Sequence, residues 1–435
     1  MDVNNISPYY HPTPWDAEFE PMTLPDMLAR TTSYNPQAPF LHFLGRTYSY
    51  QDIHSEAERF AAGLIKMGIQ KGERVGLFLP NIPIYASAYY GAMMAGATVV
   101  NFSPLYSVEE LAWQVGDSGT RALVTVDVPE LFNTAAKVLE SSQLESLIVG
   151  RLANMLPKLT GLAYRLFKRA DIAKIHWSNN TLKWENTLSA ASPAPPVSVS
   201  PDDLALLQFT GGTTGRPKGA MLGHSQLTMN AQQVAAINPF GNPRGEVFMG
   251  ALPFFHVFAN TALLNHAVAS GASIAMVPRF ETTQVLQAIE RHKATGFPGD
   301  PTMFQALLDH PDLAMSDVSS LKVCISGGAP MPAAVHTRFE DVTGVRVVEG
   351  YGLTESAGVV SVNPYAGVRK KGTIGQLVAG TKIVLLDKEN PSALAPEGEP
   401  GELAVCGPQI MRGYWNRPEA AADAFVTRGN ETYQR

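Results

Sequence analysis

The chain has 435 residues, 45% of them hydrophobic and 17% charged, which is ample material for a core spread over two or three structural units. A formal net charge of −6 argues against a general nucleic-acid binder, which would carry a basic face. Only Cys324 and Cys406 occur, each in an apolar strand-like run, so no disulfide framework is implied, a reducing compartment is expected and both read as core residues.

Residues 1–21 mix acids, prolines and aromatics and lack the basic start and apolar run of a secretory signal, so a cytoplasmic location is expected. Residues 24–31 read as an amphipathic helix and residues 39–48 as a hairpin turning at Gly45-Arg46. Residues 53–67 form a second helix, with Phe60, Leu64, Ile65 and Met67 at roughly helical spacing. Residues 75–108 contain no charged side chain and could be taken for a membrane span. Pro80, Pro83 and Pro104 argue otherwise, dividing the run into a strand (74–79), a helix of small residues (84–94) and a strand (97–102), a buried βαβ unit. A helix over 108–115, ended by Gly116, and a strand over 122–126 continue the alternation and predict a mostly parallel, layered sheet.

In residues 151–177, Arg151, Lys158, Arg165, Lys168, Arg169 and Lys174 alternate with Leu156, Leu159, Leu162, Tyr164, Leu166 and Phe167. Such a basic amphipathic face can rest on an anionic bilayer at the inner face of the membrane, or pack as a solvated helix on its own domain. The Pro/Ser-rich stretch 192–201 reads as a linker.

The apolar run 204–208 reads as a buried strand and 224–237 as a helix, so the stretch between them joins strand to helix. It contains Thr210, Gly211, Gly212, Thr213, Thr214, Gly215, Arg216, Pro217, Lys218 and Gly219. Glycines let backbone N–H groups turn toward a phosphate, the three hydroxyls add donors and Lys218 supplies full charge. The Walker pattern is excluded, because Pro217 precedes the lysine and Gly219 follows it where Ser or Thr is required.

Further strands fall at 247–251, 273–277, 322–326 and 345–348 with helices between them, which predicts a second layered sheet. From about residue 372 the pattern changes to short strands, 382–386 and 402–406, parted by Pro/Gly turns, and suggests a small distorted barrel. The fold class is therefore α/β, divided as residues 1–200, 201–370 and 371–435.

Several clusters besides the glycine-rich loop can carry chemistry. The strand 345–348 runs into Glu349, Gly350, Tyr351, Gly352, Leu353, Thr354, Glu355 and Ser356. A carboxylate there suits Mg²⁺, which takes carboxylates together with phosphate oxygens. Gly327, Gly328, Ala329 and Pro330 form a strand-to-turn junction whose small residues permit close approach. His256 stands in the aromatic run 253–259, and residues 295–308 open a helix after Gly299-Asp300-Pro301.

Together, the loop 210–219, the cluster 349–356 and the segment 401–416 resemble the adenylate-forming, AMP-binding superfamily: acyl-CoA synthetases, luciferases and peptide-synthetase adenylation domains. The wording, including residues 360–365, is nearest to bacterial long-chain fatty acid–CoA ligases. The resemblance covers nearly the whole chain and implies a large acyl-CoA synthetase-like N-terminal domain. Its partners would be a fatty acid, ATP and CoA, with Mg²⁺ and without nucleic acid. It implies that Lys218, His256, Thr354 and Glu355 are catalytic, with Glu355 on Mg²⁺, Tyr351 against adenine, Thr354 on the α-phosphate or acyl carbonyl, and His256 near the carboxylate. Residues 210–215, 328–330 and 349–352 would border the nucleotide, residues 295–308 the acyl tunnel, and 401–416 would be structural.

Relatives continue into a Thr-Gly-Asp strand, a hinge and a lid domain that do not precede Arg435 here, so the resemblance leads one to expect poor turnover from this stretch alone. The alternatives are a medium-chain or aryl acid as substrate, or a catalytically silent acyl- and nucleotide-binding module.

Overall fold

A computed structural model of the chain describes residues 11–188, 197–211, 216–238 and 245–435. Among them, three sheets carry the architecture. Seven strands form the first, in the order Thr181–Lys183, Ser146–Gly150, Thr120–Val126, Arg74–Leu77, Thr98–Asn101, Leu204–Thr210 and Lys218–Gly223. All its neighbours pair in parallel except the last two. Nine strands form the second, running from Gln376–Leu377 through Ser361–Val362, Val347–Tyr351, Val323–Ser326, Gly296–Gly299, Val247–Gly250 and Ser273–Met276 to the hairpin Pro39–Phe43 and Arg46–Ser49. Sheet membership thus crosses residue 200 in both directions: the N-terminal hairpin joins the second sheet, and strands 204–223 complete the first.

The uncharged run is a buried βαβ unit. Its helix, Pro83–Met94, is buried almost all round, and no helix among the described residues is long and apolar enough to cross a membrane. Three of its tyrosines have their hydroxyls satisfied inside the protein: Tyr85 donates to the Phe254 carbonyl (2.8 Å), Tyr89 to Asn260 Oδ1 (2.9 Å) and Tyr90 to Asn265 Oδ1 (2.9 Å). These bonds pin the segment 254–265, which contains His256, onto this helix. Removing a partner would strand a buried polar group at a cost of about 1–3 kcal/mol.

Three expectations need correction. The helix that starts at Val108 runs to Ser118 rather than to Gly116, because the left-handed cap falls on Gly119 (φ 63°). The glycine-rich loop does not lead directly into a helix. Lys218–Gly223 is a strand antiparallel to Leu204–Thr210, in a register that buries Ala220 and Leu222 and sets Thr210 opposite Lys218, and the helix His224–Ala236 begins only afterwards. Nor is the C-terminal unit a barrel. Lys382–Leu386, Glu402–Cys406, Glu431–Gln434 and Phe425–Arg428 form an open four-stranded antiparallel sheet whose outer strands do not pair, since so few strands cannot enclose an interior.

His224 anchors the N-terminal region: its buried Nδ1 accepts the Leu24 N–H at 3.2 Å, and burial lowers its pKa from 6.5 to about 4. The unfolded chain therefore binds a proton that the folded one refuses until about pH 4. The stability held above pH 6.5 is lost as pH falls through that window. Denaturant titrations at pH 6.5 and at about pH 5 should differ by about 2 kcal/mol from this residue, and His224→Gln should flatten that part of the profile.

Candidate active site

The C-terminal ends of the parallel strands in the second sheet face the paired ends of the strands Leu204–Thr210 and Lys218–Gly223, at Thr210 and Lys218. A cleft of about 990 Å³ opens between them, lined by Asn101, Gln208, Thr210, Gly211, Arg216, Lys218, His256, Thr354, Glu355, Tyr414 and Arg417 among others. A second cavity, of about 240 Å³, is lined mostly by apolar side chains and backbone, including Val234, Phe248, Phe258, Pro298, Ile325, Gly328, Gly350, Tyr351 and Gly352. His256 and Thr354 line both.

Each functional side chain is held by its own local structure. Thr354–Ser356 is a single 3₁₀ turn after the strand Val347–Tyr351, closed by Ser356 Oγ, which accepts the Leu353 N–H at 3.1 Å. Beyond it, Val359 is clamped to the helix His224–Ala236, because Asn230 donates to its carbonyl (2.8 Å) and accepts from its N–H (2.9 Å). His256 caps the next turn, with Nδ1 accepting the Phe258 N–H at 3.3 Å. Because Nδ1 accepts, the hydrogen of the neutral ring lies on Nε2, and desolvation by the surrounding cleft lowers its pKa although the side chain keeps solvent contact. That leaves a hydrogen-bond donor where the two cavities meet.

Among the expected site residues, the structure brings Thr210, Gly211, Lys218, His256, Thr354 and Glu355 onto the cleft, and Gly328, Gly350, Tyr351 and Gly352 onto the apolar cavity. Gly212, Thr213, Thr214 and Gly215 lie outside the described residues. Glu349 is turned elsewhere: its carboxylate accepts the backbone N–H groups of Met331 (3.2 Å) and Gly372 (3.3 Å), tying two loops together. Ala329 and Pro330 are exposed on the loop that Glu349 holds.

Tyr414 is a member of the cleft that its sequence motif did not reveal. Residues 411–415 run beside the strand Lys218–Gly223, with the Met221 N–H on the Gly413 carbonyl (2.9 Å) and the Trp415 N–H on the Gly219 carbonyl (2.8 Å). This course brings the Tyr414 hydroxyl to Glu355 Oε1 at 2.6 Å and sets its ring 5.1 Å from Lys218 Nζ. Burial, reinforced by the Glu355 carboxylate, pushes its pKa up, so the phenol stays protonated and donates. If the cleft takes the Mg²⁺–nucleotide that the sequence resemblance implies, Tyr414→Phe should leave the fold intact and lower the affinity for it about tenfold, read by calorimetry, because Glu355 loses the hydroxyl that orients it. Unchanged affinity would show that the contact does not position the carboxylate.

Arg216 lies 5.6 Å from the Trp113 ring, and Arg417 is paired with Asp117 at 2.6 Å. With Lys218, they make the cleft wall cationic opposite a single carboxylate, Glu355. A basic cleft joined to an apolar cavity through a neutral histidine and a threonine can hold an anionic group and an apolar group with their reacting ends together.

The profile of the AMP-binding enzyme family matches residues 28–415. A long-chain-fatty-acid–CoA ligase of Bacillus subtilis (strain 168) is 36% identical over 440 residues, covering 98% of this chain and 77% of that protein. A feruloyl-CoA synthase of an Amycolatopsis species is 33% identical, covering 91% of this chain and 72% of the relative. The crystal structure of a long-chain-fatty-acid-CoA ligase from Archaeoglobus fulgidus shares the fold, with a TM-score of 0.81 at 24% identity over 96% of this chain and 82% of that one. The family profile and relatives at 33% and 36% identity thus run along almost the full length, and this chain belongs to the AMP-binding enzyme family.

Proposed function

We propose that this chain activates a fatty acid with ATP, giving acyl-AMP and then acyl-CoA. The observation that carries the reading is the meeting of a cationic cleft and an apolar cavity at His256 and Thr354. The alkyl chain occupies the cavity and its carboxylate arrives at His256, whose Nε2–H donates to it. The polyphosphate lies along Lys218 and Arg216, with the adenine against Tyr351 and the α-phosphate within reach of the Thr354 hydroxyl. A carboxylate oxygen attacks the α-phosphorus, the bond to pyrophosphate breaks, and pyrophosphate leaves with its charge facing Lys218. The thiolate of CoA then attacks the acyl carbonyl and AMP departs. Holding the reactants together and offsetting their charge supply most of the rate.

Glu355 fits Mg²⁺. No group of three metal-ligating side chains exists among the described residues, and Mg²⁺ commonly binds through one or two carboxylates plus substrate phosphates. When bound, it would offset the phosphate charge that repels the attacking carboxylate.

The long-chain assignment draws on the Bacillus subtilis relative, and the feruloyl-CoA synthase favours an aromatic acid as the second reading. Calorimetric titration with non-hydrolysable acyl-adenylate analogues separates them. Affinity that strengthens with alkyl length supports the first, and tighter binding of an aryl analogue supports the second. Absence of binding to every analogue by the folded chain would refute both.

The helix Lys158–Phe167 supports contact of the enzyme with an anionic bilayer. Gly161 packs it against the turn 152–155, while Leu159, Leu162, Leu166 and Phe167 are exposed, two of them at 83%, beside Lys158, Arg165 and Lys168. The chain should float with vesicles containing anionic phospholipid. Leu162→Asp with Leu166→Asp should abolish that flotation, and equal flotation of the variant would rule this helix out as the contact.

A further inference from the structure

The cavity that would take the acyl chain is not apolar at its far end. It follows the strands Val247–Gly250, Gly296–Gly299 and Val323–Ser326, from the loops after their C-terminal ends down to Glu246, Thr295 and Val323 at their N-terminal ends. Four strand residues at about 3.3 Å each give a depth of about 13 Å. The opposite wall keeps the same course: the helical segment that starts at His256 reaches the floor at His266.

Among the described residues, Thr295, Glu246 and His266 bring polar side chains to this end in different states, beside Asn238. Thr295 is used by the backbone, since its Oγ1 accepts the Val247 N–H at 3.0 Å and donates to the Val247 carbonyl at 3.2 Å. Glu246 is 4% exposed and paired with the half-exposed ammonium of Lys322. His266 is 5% exposed, stacks on Phe248 with ring centroids 4.8 Å apart, and sets Nδ1 3.3 Å from the Ala262 carbonyl of its own helix. A carbonyl only accepts, so Nδ1 carries the hydrogen. Burial lowers the ring's pKa to about 4 and keeps it neutral. Nε2, on the edge turned away from that helix, is therefore a bare acceptor, and it has no hydrogen-bond partner among the described residues. Nearly every buried polar atom has one.

We infer that the pocket selects an acyl group bearing a hydroxyl at its far end, whose O–H donates to His266 Nε2 at the floor shared with Glu246. The inference rests on the ligase reading above. It separates close analogues sharply. A hydroxyl brings the donor that His266 Nε2 lacks, an ether oxygen or ketone brings only another acceptor, and a methyl end leaves the buried nitrogen unpaired.

The test is calorimetric titration of the chain with non-hydrolysable acyl-adenylate analogues, from hexanoyl to hexadecanoyl, ending in methyl, hydroxyl or methoxy. At the length that reaches the floor, the hydroxyl compound should bind about tenfold tighter than the other two. The preference should vanish in His266→Phe and be kept by His266→Gln, whose side-chain carbonyl accepts. If His266→Phe does not fold, the three series on the unaltered chain decide alone. Equal or tighter binding of the methyl series at every length, or a hydroxyl preference that survives His266→Phe, overturns the inference and leaves the ligase reading standing. Failure of every analogue to bind overturns both.

Discussion

Glu355→Gln should lower the rate of acyl-adenylate formation by about 10²–10³, read as ATP–pyrophosphate exchange, and raise the Mg²⁺ concentration needed for half-maximal exchange. The substitution keeps shape and removes charge. Tyr414 can still donate to the amide oxygen that replaces Oε1, and the Met411 N–H still bonds the main-chain carbonyl of residue 355 at 2.7 Å, so the turn is retained. What is lost is the one carboxylate among the described residues that line the cleft, whose cations are Arg216, Lys218 and Arg417. If exchange is unchanged at saturating and at limiting Mg²⁺ alike, the metal is held elsewhere and the role given to Glu355 is wrong.

Gly352→Ala should abolish binding of acyl-adenylate analogues and destabilise the domain by about 1–3 kcal/mol, the usual range for overpacking. A Cβ at this position would lie 1.6 Å from the Gly358 carbonyl oxygen and 2.6 Å from its carbon, both main-chain atoms. The chain cannot yield by rotating a side chain. It has to open the turn 352–358, and that turn carries Thr354 and Glu355 and is clamped at Val359 by Asn230. Calorimetry and thermal denaturation report the two effects separately. Wild-type affinity in this variant would mean that the turn does not set the geometry of the cleft.

Much of this was legible in the sequence because strong local signals coincided with tertiary demands. Alternating apolar runs and proline breaks located the βαβ units, since a strand or helix buried on both faces must be apolar throughout. Other features depended on long-range pairing. Lys218–Gly223 is short and contains two glycines, so nothing in its own composition separates a strand from a loop; its pairing with Leu204–Thr210 does. Gly116 looked like a helix stop, yet it is tolerated inside the helix, and the backbone turns left-handed only at Gly119. Glu349 shares a motif with Glu355, but its carboxylate is taken by two main-chain N–H groups that no motif encodes. Tyr414 and His266 reach their sites from other segments, and neither residue's own neighbours in the chain give a sign of what it faces.

The hairpin Pro39–Phe43 and Arg46–Ser49 closes one edge of the nine-stranded sheet through parallel pairing of Leu41 with Ile274 and Phe43 with Met276. This ties the order of folding to the order of synthesis. The hairpin emerges from the ribosome long before its partner strand exists, so the docking surface must wait while the whole seven-stranded sheet is made. That contact closes a very long loop, a step that is slow rather than strongly disfavoured. Until it forms, or in any fragment that starts after the hairpin, Ser273–Met276 is an unpaired sheet edge of buried apolar residues, open to pairing with another chain. Soluble expression of the nucleotide-binding half should therefore require the N-terminal hairpin, although it contributes no residue to the cleft.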